Sequence, residues 1–178
     1  MDSISLHPAQ EADHAAVIAL TNRAYRQAEG QTAWKVESLV GGQRIDASLL
    51  AEDLAQPGAV LLVARDAKGD HVGHVRLDAE AGGAWYLSML TVSPDRQDAG
   101  LGRAILDAAE AYAAARGAAR MRMSVLHPRE ALIDWYGRRG YAKTGETKPF
   151  PYGDPRFGEP THGGLYFEVL EKPLQASR

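Results

Sequence analysis

The sequence of 178 residues contains no cysteine. That excludes a disulfide framework, a thiolate metal site and a thiol nucleophile. It has no excess of positive charge either: 20 Lys and Arg against 23 Asp and Glu give a net charge of −3. Nucleic acid and acidic membrane surfaces are therefore not the default partners. No apolar run approaches the ~18 residues that suggest a membrane span. The opening "MDSISLHPAQEADHAAVIAL" has neither the basic start nor the long apolar core of a secretory signal, so a cytoplasmic location is expected. No metal site, internal repeat or interdomain linker stands out, and one domain over residues 1–178 is expected.

What the chain does have is regular punctuation. "SISLHPA" reads as a short strand. Apolar residues at Ala16, Val17, Leu20, Ala24 and Ala28 then recur at helical spacing. A short helix is expected near Trp34 to Leu39, followed by a break at Gly41-Gly42. A second helix should run from an Asp46 N-cap to Ala55, closed by Pro57-Gly58. "AVLLVA" (Ala59 to Ala64), "HVGHVRLDAE" and "AWYLSMLTV" (Ala84 to Val92) read as three strands joined by turns. Leu101, Ile105, Ala108, Ala109 and Tyr112 share one face of the next helix, with Arg103, Asp107 and Glu110 on the other. "ARMRMSVL" is a strand and "REALIDWYGRRG" an amphipathic helix. "YAKTGET" and "GLYFEVLEK" are the last strands, flanking a Pro/Gly loop. The order β-α-α-β-β-β-α-β-α-β-β predicts an α/β fold: a mixed, mostly antiparallel sheet of about seven strands with helices on both faces.

The stretch "SPDRQDAGLGRAIL" places Gly100 and Gly102 at the start of a helix. A helix N-terminus presents unpaired N–H groups and partial positive charge, and glycine lets an anion come close to them. A Walker loop would need Lys and Ser/Thr after the last glycine, but Arg103-Ala104 follow. A dinucleotide fingerprint would need a third glycine where Ile105 stands. The pattern Q/R-x-x-G-x-G/A is met by Gln97, Asp98, Ala99, Gly100, Leu101 and Gly102.

"MLTVSPDRQDAGLGRAIL" followed by "MSVLHPREALIDWYGRRGYAKTGE" resembles the GNAT superfamily of acetyl-CoA-dependent N-acetyltransferases. The resemblance is carried by Val92, Pro94, Gln97, Gly100, Gly102, Tyr136, Gly140 and Tyr141, in the family's order, and extends from about Ala59 to Gly145. Trp34, Glu37, Gly42, Arg44, Ile45, Asp46 and "WYGRRGY" also resemble one uncharacterised branch. Two positions depart from the family habit. Asp98 stands where glycine is frequent, and an acid beside a pyrophosphate is unfavourable unless it points to water. Ala99 stands where a basic or polar residue is frequent. The backbone cradle survives both.

The resemblance implies acetyl transfer from acetyl-CoA to an amine by direct attack on the thioester. It implies a fourth strand splayed from the fifth, with Leu90, Thr91 and Val92 pairing with the pantetheine arm. The Leu90 N–H would polarise the thioester carbonyl, and such donors are worth about 3–4 kcal/mol. Gln97 through Arg103 would cradle the phosphates. Arg129, Arg138 and Arg139 lie within reach of a further phosphate. Tyr136 matches the general acid: a phenol of pKa about 10 can protonate a thiolate of pKa about 8.5. The alternative for Tyr136 is packing on Leu132, four residues earlier. Ser88 is the polar residue on the strand where relatives carry a base. Glu37, His74, His127 and His162 are the other base candidates, beside a water chain. Trp34, Glu37, Arg44, Met89 and His162 are the expected acceptor residues, and a small amine or amino-acid-like acceptor is expected. A homodimer is an open option. A CoA-binding sensor without turnover and a protein N-acetyltransferase are the competing functions.

Overall fold

Every neighbouring pair in the main sheet but one is antiparallel, and the exception positions the site. The computed structural model describes residues 4–26 and 40–175, with backbone alone at 26 and 97–99. In chain order the elements are β1 (Ser5–Pro8), α1 (His14–Arg26), β2 (Val40–Gly41), α2 (Ala47–Leu54), β3 (Ala59–Arg65), β4 (His71–Ala79), β5 (Ala84–Val92), α3 (Leu101–Ala114), β6 (Arg120–Leu126), α4 (Glu130–Gly137), β7 (Ala142–Pro149), β8 (Glu159–Pro160) and β9 (Tyr166–Pro173). Seven strands form one sheet in the order β1-β3-β4-β5-β6-β9-β7, and β2 pairs with β8 apart from it. The expected helix over Trp34 to Leu39 lies outside the described residues, as do Trp34, Glu37 and Ala28. The expected break at Gly41-Gly42 is instead the end of β2, which pairs with β8 inside the Pro/Gly loop.

Alternation along β3 sorts the core into two layers. Leu62 and Ala64 face α3 with Ile105, Leu106 and Ala109, while Leu61 and Val63 face α1 and α2 with Val17 and Leu50. Gly73 on β4 lets α3 close on the sheet: a Cβ there would lie 2.5 Å from the Thr91 carbonyl oxygen and 2.6 Å from Ile105 Cδ1. Asp46 caps α2 as its sequence position predicts, accepting from the Leu49 N–H at 2.8 Å. The buried stripe of α3 runs through Leu106 and Ala113 rather than Ala108. Glu110, expected on the solvent face, turns inward. It accepts from the Tyr141 hydroxyl (2.8 Å) and Lys172 Nζ (2.7 Å), which braces α3 against β9. No described helix is long and apolar enough to cross a membrane.

Candidate active site

β5 and β6 run parallel, but their pairing covers only Ala84 to Tyr86 against Arg120 to Arg122. Beyond Tyr86 the two strands have no register partners in each other, so they open as a V. The Tyr86 hydroxyl bonds to Ser124 Oγ just past the last paired position, at the apex of that V. On its other edge β5 also leaves register. The ladder with β4 slips between His74 and Arg76, so Ser88 faces Arg76 and Thr91 faces His74, with Met89 and Leu90 unmatched. This is a bulge. Its centre, Met89, has φ +52, the one positive φ outside glycine among the described residues. Such a conformation costs roughly 1–2 kcal/mol. The Thr91 hydroxyl offsets part of that by donating to the Met89 carbonyl at 2.9 Å. The bulge also exchanges faces: Leu87 packs with the α3 layer, Met89 with the α1 and α2 layer, and Leu90 returns to the α3 layer.

Two cavities meet at this segment. The smaller, about 160 Å³, lies over Leu90 to Val92, Gly100, Gly102, Arg103 and Arg139. The larger, about 710 Å³, opens between β5 and β6 and takes in Arg44, Ser88, Met89, Lys148 and Phe150. Both are lined by Tyr25, Leu90, Arg129, Leu132 and Tyr136.

The smaller cavity has the features of an anion site. Gly100 caps α3 at φ +70, a left-handed conformation that glycine adopts without strain. Gly102 has only side chains near a would-be Cβ, Val92 at 3.6 Å and Trp135 at 3.8 Å. Arg139 stacks on the Trp135 ring with Cζ 3.6 Å from its centre and donates to the Trp135 carbonyl at 2.7 Å. Its Nε is buried without a hydrogen-bond partner. Burial, with Arg103 and Arg138 close by, holds the Arg139 guanidinium below its ordinary pKa. Crowded cations over free helix N–H groups suit a phosphorylated ligand. The turn before them is fixed by ion pairs: Arg96 with Asp66 (3.1 Å) and Arg23 with Asp95 (2.8 Å).

Tyr136 stands where the cavities join, 6% exposed, with edge-to-face contacts to Trp135 (5.0 Å) and Tyr141 (5.7 Å). Burial, then the nearby Tyr25 phenol, push its hydroxyl well above the ordinary tyrosine range, against the pull of Arg129 and Arg139. Tyr136 is therefore protonated at any working pH.

Several expected residues fall elsewhere. His74 is fully buried between α1 and the sheet, bonded to Thr21 Oγ1 (2.7 Å) and His71 (3.1 Å), and it lines neither cavity. His127 stacks on Tyr166 at 3.9 Å, and His162 sits in the exposed loop where Tyr152 donates to its carbonyl; neither lines either of these two cavities. None of the three lines either of these two cavities: His74 is held in the core, His127 lies against Tyr166, and His162 sits in the loop. The Leu101 side chain lies in the core, leaving its backbone for any ligand. Arg138 is exposed and lines neither cavity. Met89 lines the larger cavity, although its side chain is 3% exposed and packs with Val17 and Leu50. Gln97, Asp98 and Ala99 lie in the 3-10 turn Pro94–Ala99, their side chains outside the described set. Tyr25, Arg76 and Lys148 were not anticipated, because no local pattern points to a side chain that reaches the cleft from another element.

The model of the acetyltransferase (GNAT) family matches residues 19–141. This chain belongs to the GNAT acetyltransferase family. The matched span of this GNAT chain contains the bulge, the glycine turn and Tyr136. No curated protein sequence matches it significantly. Among solved structures, it is similar to a candidate acyl-CoA N-acyltransferase from Klebsiella pneumoniae: 24% identity, TM-score 0.62, covering 98% of this chain and 99% of the other. It is also similar to the ribosomal-protein-S18-alanine N-acetyltransferase from Escherichia coli, at 16% identity and TM-score 0.69, covering 99% and 97%. A third is a chimera of the Vibrio cholerae spermidine N-acetyltransferase, at 12% identity and TM-score 0.67, covering 96% and 95%. At these identities the likeness is one of fold. Membership of the family makes the chain an acyltransferase that moves an acyl group from acyl-CoA to an amine.

Proposed function

We propose that the whole chain acts as one domain that transfers an acetyl group from acetyl-CoA to the primary amine of a small molecule. The observation that carries this reading is the meeting of the two cavities at Leu90 and Tyr136, on a strand segment without register partners. The N–H groups at Gly100 to Arg103, with Arg139, would hold the phosphates. Leu90 to Val92 would pair with the pantetheine arm as a neighbouring strand does, with the Leu90 N–H aimed at the thioester oxygen. The acceptor nitrogen would attack the carbonyl carbon from the larger cavity. The C–S bond then breaks, and Tyr136 gives its proton to the departing thiolate. The phenol would regain it from the attacking nitrogen through water.

The larger cavity supports a small acceptor. Its volume lies in the range of small-molecule sites, roughly 300–1,000 Å³. The cluster of Val40, Phe150 and Leu165 lies beside it, held by the β2–β8 pair. The fold neighbours do not choose: one is named for a protein alanine and another for spermidine. Among the described residues no histidine lines either cavity, and of the three acids there Asp53 and Asp78 are bound to Arg76 while Glu52 lies toward Arg156. Removal of the amine proton is therefore assigned to solvent. The test is thiol release from acetyl-, propionyl- and succinyl-CoA across an amine panel. Release with acetyl-CoA and a small primary amine supports the reading. Tight CoA binding with no release from any amine returns the chain to a sensor role.

A further inference from the structure

The chain is acidic overall, yet the junction where the amine must react is cationic. Three cations that line the larger cavity make no ion pair among the described residues: Arg44, Arg129 and Lys148. The acids of the same cavity are engaged or distant from the junction. Asp53 and Asp78 both bind Arg76, at 2.8 and 2.9 Å, and Glu52 faces Arg156 on the α2 side. Charge is thus segregated, with acids against α2 and β4 and unpaired guanidiniums toward the reacting centre.

Two of those cations flank the junction itself. Arg44 lies over the Tyr25 ring, Cζ 5.6 Å from its centre, and Tyr25 lines both cavities and donates to the Leu90 carbonyl. Arg129 lines both cavities and acts electrostatically on Tyr136. A bare ammonium arriving between them would be repelled. A guanidinium fork suits a carboxylate, which it can hold through two parallel hydrogen bonds. Because the cations sit beside the reacting centre and not at the far end of the cavity, the anionic group must be close to the amine.

We infer that the acceptor is an α-amino acid or a close analogue, its carboxylate held by Arg44 and Arg129 while the neighbouring amine faces Leu90. The inference rests on the acetyltransfer reading for its chemistry but not for its binding geometry. The same cationic surroundings favour the neutral amine over the ammonium, which suits a junction lined by no carboxylate or imidazole among the described residues. A polyamine finds no free acid at the junction among the described residues and is disfavoured.

The test separates binding from turnover. N-acetylalanine, N-acetylleucine and N-acetylphenylalanine are titrated by calorimetry into the full chain saturated with CoA. Each is compared with the N-alkylacetamide that lacks only the carboxylate, so no amine pKa enters. At least one acid should bind tenfold or more tightly than its counterpart. Arg44→Gln should remove that preference, while CoA affinity and the melting temperature stay within error. Equal binding of acids and amides, no binding of either, or a preference that survives both Arg44→Gln and Arg129→Gln would overturn the inference. Thiol release is then measured with leucine, 3-methylbutylamine and spermidine. Fastest release with spermidine or the alkylamine overturns the inference and keeps the acetyltransfer reading. Acid-selective binding that needs Arg44, without thiol release from any amine, keeps the inference and overturns the acetyltransfer reading.

Discussion

The Tyr25 hydroxyl donates to the carbonyl oxygen of Leu90 across 3.1 Å. That contact ties α1 to the bulge itself, where β5 has left register with β4. The residue whose N–H would face a thioester is thereby held, through its carbonyl, from the acceptor side of the site. Tyr25→Phe keeps the ring beneath Arg44 and removes the hydrogen bond. Its net stabilising contribution is about 1 kcal/mol, so the melting temperature should fall by only a few degrees. Turnover should fall by roughly tenfold, because a displaced reacting geometry is costly. Acetyl-CoA affinity should be retained. Steady-state kinetics beside calorimetry decide this, and an unchanged kcat would reduce Tyr25 to a packing residue.

Tyr136→Phe removes a proton and little else. The ring keeps its edge-to-face partners Trp135 and Tyr141. Turnover should drop by ~10²-fold or more with thermal stability nearly unchanged. Because burial raises the phenol's pKa, its ionisation lies above the ordinary value of about 10. The pH–rate profile should therefore show no alkaline limb from this group below pH 10. Full activity in the variant would hand the thiolate's proton to water.

The two glycines of the turn should fail in different ways. Gly100 has open space where a Cβ would go, but its φ of +70 strains any side chain, so Gly100→Ala should cost about 1–2 kcal/mol of stability. Gly102 has ordinary backbone geometry and tolerable neighbours at 3.6 Å and beyond, so Gly102→Ala should fold normally. Gly102→Val should keep the fold and lose acetyl-CoA affinity, because its branches reach into the smaller cavity. Melting curves and calorimetry on the three variants separate strain from obstruction; normal CoA binding by Gly102→Val would remove the cradle from the site.

The strands were legible because alternation and turn residues are local. Ala84 to Val92 has the same limits in sequence and structure, and Asp46 caps α2 as its position implies. The glycine turn and the Tyr136 helix were legible from spacing and amphipathicity, while the roles expected of them came from family resemblance. The bulge was not. "LSMLTV" carries no glycine, and Met89 takes its left-handed conformation only because the neighbouring strand and the Thr91 hydroxyl hold it there. Glu110 was misplaced because helical periodicity cannot see Tyr141 arriving from the turn before β7 and Lys172 from β9. The cations of the larger cavity, Arg44, Arg76, Arg129, Lys148 and Arg156, come from five separate segments of chain, so no window of sequence contains them. The burial of His74 was not legible either. A histidine in a strand looks like a base until the helix that covers it is known.

That covering makes His74 a determinant of acid stability. Thr21 spends its one hydroxyl proton on the Val17 carbonyl at 2.7 Å, so His74 Nε2 must carry a proton to bond Thr21. His74 Nδ1 is then the acceptor for His71 Nε2–H at 3.1 Å. The ring is neutral, and a second proton would break the His71 bond. Burial, then the nearby His71, hold its pKa down to about 3. In the unfolded chain histidine titrates near 6.5. Below that pH the unfolded state binds a proton that the native state refuses, so stability is complete above pH 6.5 and falls as the pH drops toward 3. The slope approaches ~1.4 kcal/mol per pH unit, a loss of about 2 kcal/mol between pH 7 and pH 5. His71, also lowered by burial and by Arg65, adds to the loss in the same direction. The depressed carboxylates Asp13 and Asp66 act only at lower pH. Denaturant unfolding at half-unit steps from pH 5 to 7 should show this slope in the wild type, and His74→Gln should flatten most of it whatever its absolute stability. An equal slope in the variant would mean that His74 already takes up a proton in the native state, and the buried neutral chain from His71 to Val17 would have to be abandoned.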